Sequence, residues 1–413
     1  MALISDHPTA ALSFRDAAWP AETAGNPRFA TRWLTHEDAA GPQRNGWREL
    51  AANASEPNPF YEDHLLLPAL QHLSGKSDIR LLAIEDRLEP GRLIAFLPVK
   101  VSHTCRGLPL PTATAWRSIH TFLATPLIRN GCEWDGMRAI VRSLRQAGLK
   151  LIRMPHMAAD GPVAEALSVL TRTNSLAVAT SRSFERALLK SGHDGESYIA
   201  ESVSKKKRKE YARQSRRLAD LGEVTFETAD MCDVAAVEGI ALEFLELELA
   251  SWKGRAGTAI AQRPAEARFF FDACRAAAAA GKLFPLTMRV DGAPVATILN
   301  FGGSGSDGTG QFSFKIAHDE RYARYSPGVL LELELTRRLL DTPGIAFTDS
   351  CANPDHPMID HLWRERRTMQ DVTIATSKFV PSAAVRWAAA VDRTEISAKH
   401  SLRALFARIK RSA

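Results

Sequence analysis

Cysteine is scarce and unpatterned in this chain. The 413 residues hold five, at 105, 132, 232, 274 and 351, an odd number with no Cys-x-x-Cys and no Cys/His spacing. That excludes a disulfide framework or a zinc site as the organising principle and fits a reducing compartment. Long apolar runs are missing too, since no stretch of about 18 uninterrupted apolar residues occurs. The opening residues, MALISDHPTAALSFRDAAWP, lack a basic segment followed by an apolar one. The expectation is a cytoplasmic protein with neither a membrane span nor a plain signal peptide.

A uniform excess of charge is also absent. The net charge is +6, yet residues 201–217 carry eight Lys/Arg against two Glu, and residues 379–413 carry seven against two. Those segments sum to +11, so the rest of the chain is near −5. This argues against a surface that coats nucleic acid and leaves two discrete basic segments. What is present is ordinary globular composition, 45% apolar and 24% charged, at a length that suits two cores.

A period of about 200 residues runs through the chain. Residues 66–100 read as a helix (LLPALQHL), a Gly-Lys break, a strand (IRLLAIED), a turn at Pro90-Gly91 and a second strand (RLIAFLPVKV). Residues 269–301 repeat the order with FFFDACRAAAAA, Gly281-Lys282, LFPLTMRV, Asp291-Gly292 and APVATILNF. Each half continues with a helix, a strand and a loop containing His and Pro. The order predicts an α/β protein made by internal duplication, each domain a central mixed sheet flanked by helices. The boundaries fall at an N-terminal extension 1–24, a first domain 25–190, a second domain 191–378 and a basic tail 379–413. The tail, with Arg386, Trp387, Lys399, Arg403, Phe406, Arg408 and Lys410, reads as an amphipathic helix suited to an anionic membrane surface.

The chemistry concentrates in the second half. Gln311–Ala317 alternates as a strand, and Ser326-Pro327-Gly328 precedes the helical run VLLELELTRRLL, with Ser as N-cap and Pro at the first helical position. A helix start of this kind can hold a phosphate, and Gly328 permits close backbone approach. Before it, SWKGRAG at 251–257 ends an acidic and apolar helix, with Gly254 as the expected C-cap. The basic segment 204–217 has charges all round and only Tyr211 and Leu218 as apolar members. It reads as a solvated helix pairing with the Glu-rich stretch 243–248, or as an anion track.

Three stretches carry a resemblance: SVSKKKRKEYARQSRRLADLGEVTFE, SWKGRAGTAI and KIAHDERYARYSPGVLLELE. Together they resemble the acyl-CoA-binding core of GNAT acetyltransferases, more narrowly the CelD-type domain of cellulose-biosynthesis proteins, akin to the double-GNAT fold of FemAB transferases. The resemblance implies acetyl-CoA or another acyl-CoA as co-substrate, without a metal. It places Lys315 on the pantetheine strand and Arg324, Tyr325, Ser326, Gly328, Val329 and Leu330 around the CoA pyrophosphate. Pro327 and Val329 stand where that family's loop has small residues, which reduces the backbone donors available.

Acyl transfer needs a base for the acceptor and an acid for the departing thiolate. Asp349, ending the strand IAFTDS, is the expected base, with Glu320 and Asp319 next. No tyrosine follows this strand, so the loop's Cys351 and His356 stand in its place, His356 being the expected proton carrier. Trp252, Lys253 and Arg255 are expected on the acceptor side, with Trp252 either walling the cleft or anchoring the core. The acceptor would be a small amine, hydroxyl or glycan of envelope or exopolysaccharide metabolism. An aminoacyl-tRNA-dependent transferase and a non-catalytic polysaccharide scaffold are the other readings.

Overall fold

The computed structural model describes residues 28–412 apart from Pro42, with side chains to residue 398. The N-terminal extension therefore lies outside the described residues. Each half lays down strands in the same order. The first half gives β1 (Phe29–Leu34), β2 (Ile79–Asp86), β3 (Leu93–Ser102), β4 (Thr112–Ala115), β5 (Leu127–Ile128), β6 (Leu151–Ala158) and β7 (Val178–Leu189). The second gives β8 (Val224–Glu227), β9 (Leu283–Val290), β10 (Ala293–Gly303), β11 (Thr309–His318), β12 (Ile345–Asp349) and β13 (Glu365–Ala375).

The repeat is visible in the turns. Gly91 (φ 87°) turns β2 into β3, while Asp291 and Gly292, with φ of 48° and 77°, turn β9 into β10. Two successive left-handed residues make the tight hairpin turn that matches strand twist. Helix Asp63–Leu73 precedes the first hairpin and helix Pro264–Ala279 the second, and the two helices pack on each other.

The strands do not form two separate sheets. The order is β1-β2-β3-β4-β6-β13-β7-β12-β11-β10-β9-β8, with β5 paired to β3. The last strand of each half has entered the sheet of the other. β13 lies between β6 and β7, and β7 lies between β13 and β12. Among the described strands only β4–β6 and β11–β12 are parallel. The β7–β13 pair is long and antiparallel, from Glu365 opposite Leu188 to Ile374 opposite Val178.

Polar clamps also tie the two halves together away from this pair. Glu62 accepts the Ser304 N–H at 2.7 Å and pairs with Lys282, while His72 meets Asp272 at 2.6 Å. The segment Pro57–Pro59 lies on the glycine-rich tip of the β10–β11 hairpin. A Cβ on Gly303 would stand 2.7 Å from Pro59, so only glycine permits this approach.

The tail helix, Ser382–Ser412, buries Val385, Ala388 and Ala389 against the sheet centre. Its apolar face is thus partly consumed by the protein itself, while Trp387 and Arg386 face solvent. The side chains of Lys399, Arg403, Phe406, Arg408 and Lys410 lie outside the described residues. No described helix is long and apolar enough to cross a membrane.

Candidate functional site

The parallel pair β11–β12 is short. It runs from Thr309 opposite Ile345 to Phe312 opposite Asp349, and beyond that β11 leaves β12 and stays paired with β10 through His318. β10 pairs Leu299 with Lys315 and Asn300 with Ser313, so Phe314 is an extra residue, a bulge. The two strands therefore open into a wedge. Helix Pro327–Asp341 starts at its open end.

Successive strand residues face opposite sides. Ile316 and His318 face the helix start, where a Cβ on Gly328 would sit 3.5 Å from Ile316 and 3.9 Å from both His318 Nδ1 and Met358 Sδ. Ser326 is the N-cap residue, but its backbone is left-handed (φ 53°) and its side chain makes no cap hydrogen bond. Its carbonyl instead accepts from Val329 and Leu330. With Pro327 lacking an N–H, Gly328 offers the first-turn donor not turned back on Ser326 among the described residues. Arg324 lies over the Tyr325 ring at 4.7 Å; Tyr325 and Leu330 are core residues, and Val329 packs at the edge of that core.

Lys315 departs from expectation. It points to the other face, where its Nζ donates to Glu248 at 3.2 Å. Glu248 is fully buried and also accepts from Lys253 Nζ at 3.1 Å and Ile260 N–H at 2.8 Å. Lys315 thus belongs with Lys253, away from the helix start. Lys253 also reaches the Ile316 carbonyl at 3.4 Å. Glu320 holds the same segment by accepting from the Trp252 N–H (2.6 Å) and Arg255 (2.7 Å). Trp252 is 57% exposed, so it is not a core anchor. Gly254 is no C-cap either. It sits inside the short helix Trp252–Arg255, and a Cβ there would stand 1.8 Å from the Leu249 carbonyl oxygen.

Asp349 is not placed as a base. It is fully buried and accepts from Arg186 at 2.5 Å, Arg367 at 3.0 Å and the Cys351 N–H at 2.9 Å. Burial alone would raise its pKa, but the two guanidinium groups hold the carboxyl below the usual range. His356 caps a local turn, its Nδ1 facing the N–H groups of Met358 and Ile359 at 3.4 Å. Burial pushes the Cys351 thiol up. Asp319 is taken by Arg321.

A group missed by sequence reasoning comes from the first half. The loop after β4 reaches across the seam, where the Phe122 carbonyl accepts from Arg186 at 2.8 Å and its ring lies 6.0 Å from Phe314. His120 of this loop stacks on Phe269 and contacts Glu266 through Nε2 at 2.9 Å. Hydrogen bonds from His120 first and from Arg263 second hold the Glu266 carboxyl well below its usual range, so as an ionised acceptor it keeps the proton on Nε2 and Nδ1 is the basic nitrogen. Burial lowers the His120 pKa, and Lys315 adds to this, keeping the imidazole neutral. No local motif marks His120, because its partner is 146 residues away.

Helix Lys205–Ala219 packs against the 320–325 turn and helix Pro327–Asp341, beside the helix start. Tyr211 and Leu218 supply its packed face. Its charges do not pair with the 243–248 stretch: Glu243 binds Arg289 and Glu248 binds lysines. Among the described residues only Arg213 is paired, with Glu210. No group of three His, Cys, Asp or Glu suited to a metal occurs among them.

Residues 205–355 match the family described as acetyltransferase (GNAT) domain. No curated protein matches the chain. Among solved structures, FemX superposes with a TM-score of 0.51 at 9% identity, over 83% of this chain and 96% of that one. The C-terminal domain of a putative lysylphosphatidylglycerol synthetase from Agrobacterium fabrum gives 0.48 at 11% identity, over 80% and 91%. A tandem GNAT protein of the clavulanic acid biosynthesis pathway gives 0.42 at 14%, over 84% and 99%. The chain thus has a FemX-like fold, and residues 205–355 of its second half match an acetyltransferase (GNAT) domain.

Proposed function

We propose that the second half transfers an acyl group from a CoA thioester to an amine or hydroxyl acceptor. The observation that carries this reading is the β11–β12 wedge with the start of helix Pro327–Asp341 at its mouth. The pantetheine would lie along Ser313–His318, and the pyrophosphate would meet the Gly328 N–H and the helix dipole. The exposed cations of helix Lys205–Ala219 stand beside that point. The acceptor would enter from the opposite face, past Trp252 and Lys253, and His120 Nδ1 would take its proton, with Glu266 fixing the ring. Asp349 then has a structural role. The family match supports a transferase; a role in envelope or exopolysaccharide metabolism and peripheral membrane contact belong to the proposal. The FemX-like fold keeps an aminoacyl-tRNA donor as the second reading.

Calorimetric titration with acetyl-CoA tests the proposal. Gly328→Phe must push a ring between Ile316, His318 and Met358, and is expected to abolish saturable binding. Gly328→Ala, whose Cβ sits at ordinary contact distance, is the folded control that retains it. Equal affinity in a folded Gly328→Phe removes the helix start from the donor site. Binding of tRNA with no binding of acetyl-CoA transfers the assignment to the second reading.

A further inference from the structure

A cavity of about 350 Å³ lies between the tail helix and the β6–β13–β7 face. Four arginines line it. Arg106 and Arg153 are neutralised by the tail helix, both reaching Asp392, at 2.5 and 2.6 Å, with Glu395 a further 2.8 Å partner of Arg106. The other two are differently placed. Arg117 anchors its Nε on the Thr121 carbonyl at 3.0 Å, and Arg182 lies 4.0 Å over the Phe184 ring. Neither has a carboxylate within ion-pair distance among the described residues. Asp371 is the third acid of the cavity; it accepts the His156 N–H at 2.7 Å and also faces Arg117 and Arg182, offsetting one of their two charges.

The backbone here is strained. His156 is left-handed (φ 51°) within β6, an unusual state for a non-glycine residue inside a strand. Its ring packs edge-on against Phe184, the aromatic that also supports Arg182. Burial takes its pKa down to about 2, so the imidazole is neutral and adds no charge. Four guanidinium groups against three carboxylates leave a cationic balance, concentrated at Arg117 and Arg182.

We infer that this cavity binds the phosphoryl group of a small phosphoester or a lipid headgroup, with Arg117 and Arg182 as its ligands. Two guanidinium forks match the several acceptor oxygens of a tetrahedral phosphoryl group better than they match a single carboxylate. The space far exceeds one phosphate, so the group arrives attached to a larger molecule. The site is independent of the proposed transfer reaction.

The test is calorimetric titration of the full chain with sodium phosphate, against sodium chloride at matched ionic strength. It is paired with sedimentation on phosphatidylglycerol or phosphatidylcholine vesicles. Saturable phosphate binding is expected, weakened about 10- to 100-fold in Arg182→Gln, the range for losing one charged hydrogen-bond partner. The thermal midpoint and acetyl-CoA titration should stay as in the unmodified chain. Arg117→Lys keeps the charge but loses the fork, and should weaken phosphate similarly. Capture on phosphatidylglycerol that phosphate competes away and Arg182→Gln abolishes identifies a lipid headgroup as the source; phosphate binding without such capture identifies a soluble phosphoester. Absence of both, or binding indifferent to Arg182→Gln, overturns the inference.

Discussion

Asp349 receives guanidinium groups from β7 of one half and β13 of the other, so one carboxylate neutralises two buried cations at the seam. Removing its charge leaves Arg186 buried with only the Phe122 carbonyl, and Arg367 with only a longer 3.7 Å pairing to Glu56. Asp349→Asn is therefore expected to cost about 3–5 kcal/mol of stability. Because the folded pKa is depressed, this stabilisation is fully present above the unfolded value of 3.8 and is lost as pH falls through the folded one. Unfolding of the parent chain and of Asp349→Asn should converge as pH falls below about 4. His120→Gln keeps a donor for Glu266 but removes the base and the ring stacked on Phe269. It should leave acetyl-CoA affinity nearly unchanged in a folded protein while turnover with a working acceptor drops roughly 10²–10⁴-fold. Full turnover in that variant, or an undiminished melting point in Asp349→Asn, assigns these two residues wrongly.

At the scale of elements, the sequence is readable wherever a periodicity meets a sharp local signal. Gly91 and Gly292 mark hairpins because a left-handed turn needs them, and Pro327 marks a helix start because it gives up only an N–H that would be unpaired anyway. The strand Gln311–Ala317 and the helix start after it follow from alternation and capping residues. The wedge between β11 and β12 does not, nor does the bulge at Phe314, which decides that Lys315 faces Glu248. His156 reads as a loop residue beside proline, yet β6 runs through it to Ala158, since pairing with β13 outweighs local propensity. Helix Lys205–Ala219 is legible as a helix but not in what it pairs with. Its first turn carries Lys205, Lys206, Lys207, Arg208 and Lys209, all exposed except the half-buried Lys207. Neutralising all five should change stability by little, as for other exposed charges. Acetyl-CoA affinity should fall and lose much of its salt dependence, because these cations flank the helix start. An affinity and salt response equal to the parent's would show the helix to be a solvated strut alone.

The whole molecule is held by the exchange of β7 and β13, which no local pattern announces, since each strand reads the same in either sheet. The expected boundary at 190/191 falls just after β7, in sequence a linker and in space the middle of the sheet. Residues 191–413 produced alone would lack the strand between β12 and β13, and residues 1–190 the strand between β6 and β7. Each fragment should fail to give a sharp thermal transition by circular dichroism, and co-production should restore one. A fragment that melts cooperatively alone would show the exchange to be dispensable. The same exchange bears on ancestry. Two identical chains that trade their last strands form a closed, two-fold symmetric pair, and joining them end to end yields this topology. On that descent the seam at β7 and β13 would be what remains of a dimer interface, and fusion would free each copy from the demand that both carry the same site.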